Sequence, residues 1–141
     1  MKNRIICIAV SLLMVMVPCF AFAGTELDAP IEEGFVDKYS YTSTVSTTLT
    51  ISSTGVAKPR AVITGFPGTT TKLSATMYLQ KYSSGSWKTV QSWSDSSTSN
   101  SLSISKSKSV AHGKYRTHTV FKAYNNSKSE QIVKNSGTVT Y

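Results

Sequence analysis

Cysteine is absent from everything after residue 19. The two in the chain, Cys7 and Cys19, both fall in its first apolar stretch. Residues 24–141 therefore hold no thiol, no disulfide and no soft metal ligand. Acid is nearly as scarce. From Lys38 onward only Asp95 and Glu130 stand against 13 Lys and Arg, and His112 and His118 are the only histidines. Glycoside hydrolysis by paired carboxylates needs two acids at working distance, and nucleophilic catalysis needs a nucleophile beside a base. Serines are everywhere, but no G-x-S-x-G elbow places one at a strand-to-helix turn. A closed zinc site cannot be built from two histidines six residues apart with no cysteine. G-x-x-x-x-G-K-[ST] and G-x-G-x-x-G are also missing, so no glycine loop cradles a phosphate. No segment carries apolar residues at helical spacing. These absences leave no cofactor, no metal and no catalytic residue to nominate, and they point to a non-enzymatic protein.

The first residues, MKNRIICIAVSLLMVMVPCFAFAG, combine Lys2 and Arg4 with an unbroken apolar run from Ile5 to Val17. Ala21-Phe22-Ala23 then gives the small-x-small pattern of a cleavage site before Gly24. This is the pattern of a secretory signal peptide, and the run is shorter than the roughly 20 residues a spanning helix needs. Residues 1–23 are read as removed on export, which leaves no transmembrane segment in the mature chain. With no sorting sequence or apolar tail at the other end, the mature protein is expected to be released or held by non-covalent contacts. Residues 24–38 read as an extended leader. Glu26, Asp28, Glu32, Glu33 and Asp37 make it acidic, and the spacing does not match a calcium loop. Residues 39–141 form one basic domain, to which the leader's opposite charge is complementary. Its length suffices for a single core without disulfides.

Ser and Thr supply 22 and 18 of the residues from Gly24 onward, the composition of solvated strand faces rather than of a stalk, which would be rich in Pro and poor in aromatics. The periodicity is two. Thr47-Leu49-Ile51 alternates with hydroxyl residues. Val56–Thr64 follows, with Pro59 suggesting a bend, bulge or edge. Leu73-Ala75-Met77-Leu79 alternates with Ser74, Thr76, Tyr78 and Gln80. Ser83-Ser84-Gly85-Ser86 is a hairpin loop leading to a fourth strand from Trp87 to Trp93, and 94–100 is a polar loop. Leu102-Ile104 with Val110 makes a fifth strand. Lys114–Tyr124 is a sixth, with Tyr115, Thr117, Thr119, Phe121 and Ala123 on one face, and Glu130–Tyr141 a seventh. The fold class is all-β: an antiparallel immunoglobulin-like β-sandwich of about seven strands, with an open barrel of similar strand count as the structural alternative. Gly113-Lys114-Tyr115 matches a tyrosine corner, in which a ring is buried while its hydroxyl bonds back to loop backbone.

Four stretches carry a resemblance: LQKYSSGSWKTVQSWS, SLSISKSKSV, GKYRTHTVFKAY and SKSEQIVKNSGTVTY. Together they resemble small secreted proteins of Clostridia and related Firmicutes, a family of unknown function with a signal peptide and one β-rich domain. The likeness spans roughly residues 45–141. It implies a secreted immunoglobulin-like sandwich in a Gram-positive bacterium, and it implies no catalytic or ligand residues. Thr117 and Thr119 depart from it, since apolar residues are expected on that inner face.

Two kinds of partner follow. A strongly basic exported domain is drawn to anionic surfaces, such as an anionic cell-wall polymer, a glycan or a surface protein; nothing indicates specific nucleic-acid recognition. Aromatic strand residues are the second route. Trp87, Thr89, Gln91 and Trp93 are expected on one face of strand four, and Tyr78 and Tyr82 on the face of strand three turned away from the core. Trp87, Trp93, Tyr78 and Tyr82 are therefore the candidate ligand-binding residues for a sugar-stacking platform. Only Val90 opposes the two tryptophans on strand four, however, an imbalance by which at least one of them is expected to point into the core. The expected role is a secreted, non-enzymatic binding domain acting at or outside a Gram-positive envelope through its basic surface. The alternatives are a glycan module using these aromatics, or a bacteriocin-like effector.

Overall fold

The computed structural model of the chain describes residues 39–141, so the signal segment and the acidic leader lie outside the described residues. Alternation of apolar and hydroxyl side chains leaves these residues no way to bury a helical stripe, and they form strands throughout: β1 Thr42–Ile51, β2 Val56–Gly65, β3 Lys72–Ser83, β4 Ser86–Ser97, β5 Ser101–Ser105, β6 Lys108–Ser109, β7 Lys114–Asn125, β8 Lys128–Asn135 and β9 Val139–Thr140. Seven are long, and β6 and β9 are two-residue additions. One sheet runs β1-β2-β5 with β6 also paired to β2. The other runs β4-β3-β7-β8 with β9 paired to β7. Every pairing is antiparallel. The chain crosses between the sheets after β2, after β4 and before β7, as in immunoglobulin-like β-sandwiches.

The core lies between the sheets. Ala61, Ile63, Leu102 and Ile104 from the first meet Leu73, Ala75, Met77, Phe121, Ala123 and Ile132 from the second, and Leu49, Ala57, Leu79 and Tyr115 close one end. Two threonines at positions expected to be apolar sit in this core. Thr117 and Thr119 are both fully buried, so the parity read from the sequence holds and the interior carries hydroxyls. Their Oγ1 atoms, and those of Thr42 and Thr47 on β1, have no hydrogen-bond partner.

Several local features take a different form from that expected. Pro59 is buried within the central strand of its sheet, not at an edge. β5 pairs with Arg60–Thr64 and β6 with Val56 and Ala57, so the proline falls in the break between them, where a missing N–H costs no ladder bond. The β3–β4 loop is shorter than expected. Ser83 pairs with Ser86, leaving Ser84 and Gly85 as a two-residue turn, both with positive φ. This is the pattern of a type I′ turn, whose twist matches that of the strands it joins. β4 also continues through the expected polar loop to Ser97, and the seventh strand divides into β8 and β9.

Tyr115 begins β7 with its ring 2% exposed, and its hydroxyl donates to the Ala111 carbonyl at 2.8 Å. The hydroxyl ties the incoming loop to the strand. Tyr115→Phe keeps the ring and leaves that carbonyl unbonded, and is expected to lower the unfolding free energy by about 1 kcal/mol, the net worth of one hydrogen bond. Urea denaturation of the two proteins measures it, and superimposable curves would show that the corner adds nothing.

Candidate functional site

One residue out of register decides where the aromatics go. Down the β3–β4 hairpin, Met77 stands opposite Trp93 and Leu79 opposite Gln91, but Gln80 stands opposite Thr89 and Tyr82 opposite Trp87. Val90 is left without a partner, a β-bulge, and parity reverses across it. Directly opposed residues of an antiparallel pair project to the same side. Trp93 therefore shares the inner side with Met77 and packs against both core clusters. Trp87 shares the outer side with Tyr82. The expected common face of Trp87, Thr89, Gln91 and Trp93 is thus corrected. Strict alternation would have held only in a strand without an extra residue. Tyr78 and Tyr82 do face away from the core, Tyr82 being 43% exposed.

On that outer face the hairpin meets β7. Tyr78 lies between Ser92 and His118, and Gln80 between Thr89 and Arg116. Three cations sit over rings. The Arg116 guanidinium carbon lies 4.4 Å from the Trp87 ring centroid. Lys114 Nζ is 5.8 Å from that of Tyr82, and Lys72 Nζ 5.7 Å from that of Tyr124. Tyr82 and Trp87 pack edge to face at 5.2 Å. Arg116 reaches across β3 to do this, and on the way its Nε donates to Gln80 Oε1 at 2.8 Å. Stacking fixes the plane of the guanidinium and the Gln80 bond fixes its rotation, while the terminal nitrogens stay available. One row further along, His118 lies 5.9 Å from the Tyr78 ring, and its Nδ1 hydrogen-bonds Asn135 Oδ1 at 2.8 Å.

Neither acid of the described domain lies in the outer-face register. Glu130 stands opposite Ala123, in the inner-face register, and its carboxylate accepts the backbone N–H groups of Ser40 and Tyr41 at 2.7 and 2.9 Å. Asp95 stands opposite Ala75 and accepts the N–H of Ser96. The outer-face register of the second sheet therefore carries Lys72, Lys114, Arg116 and Lys122 with no carboxylate among the described residues. Beside this cationic stripe, across β3 and β4, is a shallow depression lined by Ser74, Ala75, Thr76, Ser94, Asp95 and Ser96. Among the described residues no three metal-ligating side chains come together.

Of the residues nominated from sequence, Trp87, Tyr82 and Tyr78 share this face and Trp93 does not. Arg116, Gln80 and Lys114 were missed as a site. Their even numbering along β3 and β7 gave the signal for the face, but only the strand order β4-β3-β7 brings them together. No protein-family model matches the chain and no curated protein does. Function has to be read from the face itself.

Proposed function

We propose that the protein is an exported, non-catalytic binding domain that acts at or outside a Gram-positive cell envelope. It engages an anionic partner through the outer face of its second sheet. The observation that carries this reading is Arg116, stacked on Trp87 and tied through Nε to Gln80, on a face with further cations and no acid in its register. A guanidinium held in this way loses little side-chain freedom on binding, and its remaining donors match the paired oxygens of a carboxylate or phosphate. The basic start, apolar run and small-x-small site of residues 1–23 support export, as does the resemblance to small secreted Firmicutes proteins. An aromatic sugar platform has less support, since Trp93 packs inward and the guanidinium already lies over Trp87.

Co-sedimentation with isolated Gram-positive cell walls tests the proposal. The purified exported protein is expected to pellet with walls at low salt and to be released progressively as ionic strength rises, because exposed charges are screened beyond about 10 Å at 0.1 M salt. Failure to pellet at low salt, or release that ignores salt, would overturn it.

A further inference from the structure

We infer that the ligand of this face is a carboxylated linear polysaccharide, with Arg116 receiving a uronate carboxylate and the depression further along β3 and β4, in the rows of Val120 and Lys122, receiving ring hydroxyls. The inference rests on the binding reading above and narrows it to one ligand class.

The cations lie along a line. Lys114, Arg116 and Lys122 follow one another on the outer side of β7, and eight residues of strand extend about 26 Å at roughly 3.3 Å per residue. One small anion can engage Arg116, but it leaves Lys122 unanswered. A chain with repeated anionic groups reaches both, so length adds affinity. Charge complementarity is one-sided, because no carboxylate occupies this register. Next to the stripe stand groups that recognise neutral sugar oxygens: Ser74, Thr76, Ser94 and Ser96, with Thr76 Oγ1 and Ser94 Oγ hydrogen-bonded at 2.9 Å, and Asp95, whose carboxylate can accept from ring hydroxyls. A polymer that is both acidic and rich in hydroxyls matches a face built in these two strips.

Other polyanions fit less well. Single-stranded nucleic acid is held by bases stacking on open rings, and here Trp87, Tyr82 and Tyr124 already carry cations. A lipid surface calls for a contiguous set of protruding apolar groups, whereas the exposed apolar side chains of this face, Tyr82 on β3 and Val133 on β8, are separated by β7 with Lys114, Arg116 and His118. An acidic peptide in extended form is recognised by strand addition at a sheet edge, and Arg116 belongs to β7, which is paired on both sides. A planar carboxylate meets the planar fork of Arg116 in two parallel bonds, which a lysine cannot reproduce.

The test is calorimetric titration of the exported protein with oligogalacturonate, the same oligomer after carboxyl reduction, poly(glycerol phosphate) and oligothymidylate. Oligogalacturonate is expected to bind, and its carboxyl-reduced form at least about tenfold more weakly, a difference of about 1.4 kcal/mol. Arg116→Lys keeps the charge and removes the fork. It is expected to bind oligogalacturonate at least about tenfold more weakly with an unchanged circular-dichroism spectrum. Tighter binding of the phosphate polymer or of oligothymidylate would overturn the carboxylate assignment and leave anion binding standing. Equal binding by Arg116→Lys would overturn the role of the fork. No binding to any of the anionic polymers would overturn both this inference and the function it rests on.

Discussion

Trp93→Ala is expected to lower the unfolding free energy by about 3 kcal/mol, while Trp87→Ala lowers it by about 1 kcal/mol or less and weakens ligand binding instead. The two residues lie six apart in one strand, and simple alternation would give them the same fate. The bulge at Val90 separates them. Trp93 stands opposite Met77, which is fully buried, and its ring joins both core clusters. Truncation there opens a void between the sheets. Core Trp→Ala changes cost about 3–5 kcal/mol, and the lower end applies because the ring is partly exposed. Trp87 contributes mainly an edge contact with Tyr82 and a cation–π contact with Arg116. At an exposed site the latter is worth about 0.5–1 kcal/mol. Its removal frees the Arg116 guanidinium to rotate, and that loss of preorganisation appears in binding. Guanidinium denaturation of both variants, with wall co-sedimentation alongside, reads the contrast. Equal destabilisation by the two substitutions would place both rings on one side and remove the bulge from the account.

How far the molecule was legible in its sequence follows from which contacts are local. Leu73, Ala75, Met77 and Leu79 alternate with polar residues without interruption, and all four are buried as their spacing implies. Tyr115 was legible because a tyrosine corner is a contact within four residues, Tyr115 to Ala111. Val90 was not. A bulge is defined by what the partner strand lacks, and the period of β4 alone carries no mark of it. The Arg116–Trp87 stack was hidden for a similar reason: the two residues come from strands that are not neighbours, and only β3 lying between them sets the distance. Composition foretold a basic domain. That four of its cations share one outer face with no acid in that register, Glu130 being engaged by the amides of Ser40 and Tyr41, depends on strand pairing. The buried threonines show the opposite case, in which parity was correct and chemistry was surprising.

Those threonines give a second large effect, of opposite sign. The double variant Thr117→Val/Thr119→Val is expected to raise the unfolding free energy by about 2 kcal/mol. Both residues are fully buried on the inner side of β7, between Tyr115 and Phe121, and neither hydroxyl has a partner. A buried polar group left unbonded costs about 1–3 kcal/mol of desolvation, whereas replacing it by an apolar group of the same shape relieves that cost. Valine is such a group. It keeps the branched Cβ that suits a strand and changes the packed volume little, so neither void nor clash is introduced. The backbone bonds at this point, Thr117 N–H to Ser136 Oγ and Ser136 N–H to the Thr117 carbonyl, do not involve the exchanged atoms. The expected total takes about 1 kcal/mol from each site. Because the two are neighbours on one strand face, the single variants are measured beside the double to read their coupling. Both side chains point away from Arg116 and His118, so wall binding should be unchanged while the thermal midpoint rises. A lower midpoint would mean that these hydroxyls stabilise the folded core, and that the interior of the sandwich is organised by polar contacts rather than by packing alone.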